Sequence, residues 1–427
     1  MKNNKPQKNI PAGWQEVRLA DIGSFSKGAG ILKDQLTENG HNAVRYGELY
    51  TRHNFHIKKI YSHIPSSVVS TTKKIKYGDI LFAGSGETID EIGKSAAYLL
   101  KEDCYAGGDI IVFSPKNADS LFLAYFLNIG EGRKKLSELG QGQSVVHIYK
   151  SEIEKMKLHL PSLPEQKRIV AVLESWDGMV SKLARKIAVK KNIKKGLMQN
   201  LLTGKVRLAG FNDKWNTFMF GDIAEPRKER FDPKKYKTTK PCIELEHIKS
   251  NAGKLCGKTH TTESSSMKTI FHPGDILFGK LRAYLRKYWL ATYEGVCSTE
   301  IWVLNANRKK TIPEIIFQIV QSERFISIAT TSQGTHMPRS TWNFVAEYEV
   351  QLPEIREQKA IADILVMADR EIKKLEEKLK IIQGQKKFLL NNLITGQIRV
   401  PEKHRIKKEL LRHQHRSDLF CLINSIT

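Results

Sequence analysis

Two short stretches carry the residue types of a phosphate-binding loop, Gly93-Lys94-Ser95 and Gly257-Lys258-Thr259. Such a loop wraps backbone N–H groups around a phosphate and needs a second glycine five positions before the Gly-Lys pair. Thr88 and Ala252 stand there instead, so neither stretch is expected to bind a nucleotide. His53-x-x-His56 is the nearest approach to a metal pair. It lacks the HExxH pattern and a third ligand, and reads as loop histidines. Asp79 and Asp275 each follow a glycine just before an apolar run. A catalytic carboxylate there is conceivable, but Gly-Asp before a strand is foremost turn chemistry. No Pro-Pro dipeptide occurs, which excludes the Asn/Asp-Pro-Pro-aromatic motif expected of a DNA amino-methyltransferase. No Ser/His/Asp or Cys/His arrangement stands out. The five cysteines, Cys104, Cys242, Cys256, Cys297 and Cys421, form no CxxC pair and are odd in number. That argues against a zinc ribbon or a disulfide framework and fits reduced thiols.

What remains is binding chemistry. Seventy Lys and Arg against 45 Asp and Glu leave a formal charge of +25 over 427 residues, which favours polyanions such as nucleic acid. The cations cluster. Arg227, Lys228, Arg230, Lys234, Lys235, Lys237 and Lys240 crowd one stretch, and Lys280, Arg282, Arg286 and Lys287 interleave with Tyr284, Tyr288 and Trp289. Earlier come Lys58, Lys59, Lys73, Lys74 and Lys76, and later Arg339. These are candidates for DNA phosphate contact. Gln141, Gln143 and Gln333 lie on glycine loops, where an amide can bind adenine bidentately as an arginine binds guanine. No apolar run approaches the roughly 18–20 residues that span a bilayer, and residues 1–7 lack a signal-peptide core. No membrane partner and a cytoplasmic location are expected.

The elements that position these residues emerge from an internal repeat. Trp14, Asp21 and Ile22 return as Trp215, Asp222 and Ile223, and Gly78-Asp79-Ile80-Leu81-Phe82 as Gly274-Asp275-Ile276-Leu277-Phe278. Leu160-Pro161 with Glu165-Gln166-Lys167 returns as Leu352-Pro353 with Glu357-Gln358-Lys359. Leu201, Thr203, Gly204 and Arg207 return as Leu393, Thr395, Gly396 and Arg399. The offset is 201 at the first match, 196 at the second, and fixed at 192 from residue 160 to 207. Each copy is therefore a variable domain followed by an element of locked length.

The locked element reads as a long helix. Ile169, Val172, Trp176, Val180, Leu183, Ile187, Leu197 and Leu201 recur mostly at steps of three and four. So do Ile361, Ile364, Ala368, Ile372, Leu375, Leu379, Ile382, Leu389 and Leu393. This is a coiled-coil seam, interrupted in each copy by a lysine, Lys194 and Lys386, as polar seam residues that set register often are. Pro164 and Glu165 suit a helix start, and Gly204 and Gly396 a left-handed cap. About 38 residues at 1.5 Å each gives a rod of roughly 57 Å. Two equal rods in one chain bury their seams most simply against each other, antiparallel.

The expected fold is α+β: two mixed α/β domains joined by two long helices in an antiparallel coiled coil, with an internal pseudo-twofold repeat. The expected bounds are 1–158 and 208–350 for the variable domains, 159–207 and 351–400 for the helical repeats, and 401–427 for a basic tail without an assigned role. Short helices are expected over 121–128 and 315–321.

The run Leu160-Pro-Ser-Leu-Pro-Glu-Gln-Lys-Arg-Ile169, with Leu201-Leu-Thr-Gly-Lys-Val-Arg-Leu208 one helix later, resembles the specificity subunit of type I restriction–modification systems. The resemblance covers roughly residues 10–400, twice in register. It implies that each variable domain is a target recognition domain reading one half of a split site in double-stranded DNA. It implies that the helices set the gap, that methyltransferase (M) subunits dock on helices and recognition domains, and that restriction (R) subunits join through them. It further implies that no cofactor resides in this chain, with S-adenosylmethionine, ATP and Mg on the partner subunits, and that the chain is not itself an enzyme. The second copy departs at Leu352-Pro-Glu-Ile-Arg-Glu-Gln-Lys-Ala-Ile361, where Arg356 replaces the proline. The competing readings are a coiled-coil adaptor that binds DNA without sequence preference and, with less support, a nuclease.

Overall fold

The computed structural model describes residues 10–236, 238–331 and 338–402. The chain divides into two compact units, 1–182 with 379–427, and 183–378. Each unit thus holds one variable domain and half of each long helix.

The duplicated Gly-Asp-Ile-Leu-Phe motif explains the sheet at the centre of each unit. In unit 1, Ile80 and Phe82 enter a core shared with helices, whereas Leu81 and Ala83 enter a second core on the opposite face. Side chains alternate along a strand, so a strand covered on both faces must be apolar throughout. Unit 2 repeats the division, with Ile276 and Phe278 on one side and Leu277 on the other. The strands Gly23–Lys27, Ile110–Pro115, Ile80–Ala83, Ser95–Tyr98 and His56–Ile57 form the central sheet of unit 1 in that order. Its counterpart in unit 2 runs Ala224–Pro226, Ile301–Ala306, Ile276–Gly279 and Tyr288–Leu290. The second sheets also match. Ser62–Ile64, His41–Val44, Cys104–Ala106 and Lys73–Ile75 correspond in reverse order to Lys268–Phe271, Gly295–Ser298, Pro241–Ile243 and Thr259–His260, and unit 2 adds an edge strand, Arg230–Phe231, beside Lys268–Phe271. The short helices run Ser120–Asn128 and Pro313–Ile319.

Gly-Asp itself is turn chemistry. Asp79 accepts the backbone N–H of Lys76 at 2.7 Å and the hydroxyl of Ser114 at 2.6 Å. Asp275 accepts the N–H of His272 at 2.7 Å and is gripped by Arg227 at 2.6 and 3.0 Å. Both carboxylates are buried. Removing an acceptor that holds a buried charge-assisted network costs about 2–4 kcal/mol. Asp275→Ala, which also takes from Arg227 its two shortest bonds and leaves it only Glu229 and Asn305 at 3.3 Å, is therefore expected to lower the melting temperature more than Asp79→Ala. Equal losses in thermal unfolding would show that the arginine adds nothing.

The long helices span Leu163–Leu201 and Ile355–Ile394. All the seam positions of both are buried or half-buried. The apolar stripe is wider than a strict seam, because Leu173, Leu390 and Ile394 also enter the main core of unit 1, and Ala362 and Leu365 that of unit 2. A helix that packs on a domain as well as on a partner helix needs this broader face.

Within each unit the two helix halves run antiparallel, held by paired contacts that repeat at the offset of 192. In unit 1, Lys386 Nζ lies 2.6 Å from Asp177; in unit 2, Lys194 Nζ lies 2.7 Å from Asp369. The seam lysines thus answer aspartates at equivalent places. Arg207 grips Glu357 through two bonds of 2.8 and 2.7 Å and donates to the carbonyl of Asp213. Arg399 grips Glu165 the same way and donates to the carbonyl of Ala12. Glu165 and Glu357 are buried, so beyond suiting a helix start they serve as ion-pair acceptors. The neighbouring glutamines are locked too: Gln166 and Gln358 donate to the carbonyls of Pro161 and Pro353. Gly396, at φ +71°, lies where a Cβ would meet Pro11 and Trp14 below 3.0 Å, so the cap also packs against the start of the variable domain.

Candidate nucleic-acid interface

In each unit a hairpin tip is stitched to the segment that precedes the helix-leading strand. In unit 1 the pair Ser85–Gly86 bonds to Val146–His147, with Ser85 opposite His147. In unit 2 Leu281 bridges Arg339. These pairs are counterparts by the two repeat offsets. The stitch brings the loop bearing Gln141 and Gln143 to the 84–94 tip, and places Arg339 against the 280–287 tip with its Lys280, Arg282 and Arg286. Gln333 and Lys237 lie outside the described residues.

The Gln141–Gln143 loop is exposed and pinned at its base, where the backbones of Gln141 and His147 exchange two hydrogen bonds of 2.9 and 2.7 Å. Ser85 Oγ lies 2.9 Å from His147 Nδ1 beneath it. Val145 and Tyr149 are exposed beside it.

The cations fall into two groups. Arg227 is committed to buried Asp275, Arg286 to Glu323, Arg339 to Glu300, Lys240 to Glu294 and Lys74 to Asp103. Arg227 therefore supports the turn and is not a ready phosphate ligand. Among the described residues, Lys58, Lys59, Lys73, Lys76, Lys228, Arg230, Lys234, Lys235, Lys280 and Arg282 have no carboxylate in salt-bridge range. Arg230 instead bonds the hydroxyl of Thr269. Lys59 and Arg52 both lie over the exposed ring of Tyr61, at 5.5 and 5.3 Å. The charge-assisted bonds from Arg286 and Lys195 hold the Glu323 carboxyl down at about 2, so Glu323 is ionised at neutral pH and the clamp on the second tip is intact.

The tips differ in charge. The first carries Glu87, Asp90 and Glu91 against one cation, Lys94; the second carries Lys280, Arg282, Arg286 and Lys287. The run Ala83-Gly84-Ser85-Gly86 marks the first tip as a loop, and its place after the duplicated Gly-Asp-Ile-Leu-Phe makes it the counterpart of the second.

Elsewhere, the phosphate-loop mimics are strand residues and turns: Ser95 is buried in a strand and bonded to Asn128, and Thr259 donates to the carbonyl of Cys242. Burial lowers the pKa of both His53 and His56. Among the described residues, no group of three or more His, Cys, Asp or Glu could hold a metal, and no helix is long and apolar enough to cross a membrane.

A family model described as the type I restriction modification DNA specificity domain matches residues 11–191 and, a second time, residues 212–383. The chain belongs to this family. Its curated relatives include the type I restriction enzyme MjaVIII specificity subunit of Methanocaldococcus jannaschii, 23% identical over 423 residues, covering 92% of this chain and 94% of the relative. The EcoDI specificity subunit of Escherichia coli is 24% identical over 305 residues, covering 62% and 67%. Two solved structures share the fold. One is a chain from work on complex assembly and conformational transition of the type I R-M system, with TM-score 0.56, 17% identity, and coverage of 92% and 100%. The other is the S subunit of a type I restriction-modification system from M. genitalium, with TM-score 0.51, 14% identity, and coverage of 91% and 97%. The two matches of the specificity-domain model begin just ahead of Trp14 and Trp215, so the family's repeat coincides with the repeat found in the residues.

Proposed function

We propose that this specificity-family chain is the DNA-reading subunit of a type I restriction–modification complex, performs no catalysis itself, and acts in the cytoplasm. The observation that carries the reading is the duplicated stitched loop pair. The family model matches twice, and each copy presents one hairpin tip joined to one return loop. Two unlike reading heads on a common scaffold suit a bipartite target. Phosphate contacts by the uncommitted lysines and arginines would supply affinity, and side chains of the stitched loops would supply sequence discrimination.

The partners are double-stranded DNA, methyltransferase (M) subunits and, through the assembled complex, restriction (R) subunits. S-adenosylmethionine, ATP and Mg would reside on those subunits. Val189 and Ile381 support two equivalent docking positions: they are repeat counterparts on the long helices, apolar, and half exposed. The helices would set the gap between half-sites.

The test is co-expression with the neighbouring methyltransferase subunit, followed by mapping of methylated adenines across the host genome. A single motif of two short specified halves around a fixed unspecified gap is expected. Absence of methylation would favour the adaptor that binds DNA without preference.

A further inference from the structure

We propose that the 280–287 tip of unit 2 is a wedge that enters the base stack of its DNA half-site, with Tyr284 as the stacking residue. The inference rests on the DNA-reading role proposed above. It starts from an unusual combination at one turn. Tyr284 is 54% exposed and Leu285 38%, while Ala283, Tyr288 and Trp289 around them are buried. A rigid base therefore carries an apolar point directed away from any core.

The turn is built against its own backbone preference. Arg282 and Arg286 flank the one-turn helix Ala283–Leu285, and both hold φ at +52°, where side chains other than glycine and asparagine are disfavoured. Such a conformation persists when the surroundings over-determine it, and here they do. Gly279 N–H donates to the carbonyl of Lys287 at 2.8 Å, Arg282 N–H to Pro338 at 2.9 Å, Ser340 N–H to Lys280 at 2.9 Å, and Asn251 N–H to Arg286 at 2.8 Å. Glycine would relieve the strain at both positions, yet arginine occupies both. Arg286 grips Glu323 and fixes the turn. Arg282 and Lys280 have no carboxylate partner among the described residues. An aromatic ring, an aliphatic side chain and two uncommitted cations thus sit on one braced turn. That combination suits insertion between bases with the cations on adjacent phosphates.

The first tip, on the counterpart hairpin, has the opposite character. Glu87, Asp90 and Glu91 would repel phosphate, and only Ile89 is an exposed large apolar residue. The wedge is therefore a property of one half-site, and the two halves of the target are engaged by different physical means.

The experiment uses the full chain with its methyltransferase subunit. A randomised duplex pool is selected for binding, and 2-aminopurine then replaces each base of the enriched site in turn. Leaving aside the adenine that the methyltransferase subunit itself extrudes in each half, a fluorescence change on binding is expected at a step in the half-site read by unit 2 and at none in the other. Tyr284→Ala should abolish that change and weaken binding about tenfold or more, and Tyr284→Phe should restore both. Arg282→Ala should keep the fluorescence change while lowering the salt slope by about one. An unchanged melting temperature for Tyr284→Ala shows that the fold is intact. Wild-type-like binding by Tyr284→Ala, or no fluorescence change in that half-site outside the extruded adenine with wild-type protein, overturns the wedge alone. A pool without an enriched split site overturns the DNA-reading role and the wedge with it.

Discussion

Replacing residues 206–350 with the corresponding segment of another family member should rewrite one half of the methylated motif and leave the other half and the gap unchanged. The expectation follows from where unit 2 keeps the stitched loops proposed to read DNA. The tip at 280–287 and the return segment at 338–340 both fall inside the exchanged piece, whereas the stitched loops of unit 1 fall outside it. The incoming domain must still fit the resident helices. It needs an arginine at the place of Arg207 to grip Glu357, a hydroxyl at the place of Thr311 to donate to the Gln358 amide oxygen, and a carbonyl at the place of Lys310 to accept from its amide nitrogen. It also needs a partner for Lys194 where Gln321 stands. Mapping methylated adenines before and after the exchange decides the matter. A motif changed in both halves would refute independent reading, and an unchanged motif would show that recognition lies elsewhere.

The second large effect concerns the helices. Deleting residues 182–188 and 374–380 together removes counterpart heptads. Seven residues are close to two helical turns, so the buried stripe returns to the same face with a drift of about 20°. Lys386 still meets Asp177 and Lys194 still meets Asp369, because each pair lies on one side of the excision. The removed length is about 10 Å, which at 34–36 Å per duplex turn shortens the preferred gap by up to about three base pairs. Deleting only 182–188 should instead pull the first helix out of register with the second. That slip would break either the Lys386–Asp177 or the Lys194–Asp369 pair and is expected to leave little folded protein. An unchanged gap in the double deletion, read again from methylated adenines, would sink the ruler.

The scaffold was legible in the residues to an unusual degree because it occurs twice. A strand buried on both faces tolerates few changes, so Ile80-Leu81-Phe82 reappears as Ile276-Leu277-Phe278. The seam lysines were legible as interruptions, but not their answers: Asp177 and Asp369 look like ordinary helix-surface acids until the helices are paired. The strict seam also understated burial. Leu173, Leu365, Leu390 and Ile394 face the domains as well as the partner helix, and three- and four-residue spacing alone does not distinguish those surfaces. At the candidate interface the obstacle was charge pairing at long range. Nothing near Arg227 in sequence announces Asp275, and nothing near Arg339 announces Glu300. Cationic residues were legible as a population; which of them remain uncommitted depends on carboxylates tens of positions away. The tip at 84–94 was legible as a glycine–serine loop, but not its link to His147, 62 positions away from Ser85.

The division of the chain also dictates an order of assembly on the ribosome. Unit 2 is one continuous stretch, 183–378, and all of its core residues have been synthesised once that stretch emerges. The main core of unit 1 includes Leu390, Leu393 and Ile394, and its Arg399–Glu165 clasp joins residues 234 positions apart. The amino-terminal domain, although made first, therefore waits with an open apolar face until almost the last described residue has been translated. Domains commonly complete in the order of their synthesis; here the main core of unit 1 is complete only after that of unit 2.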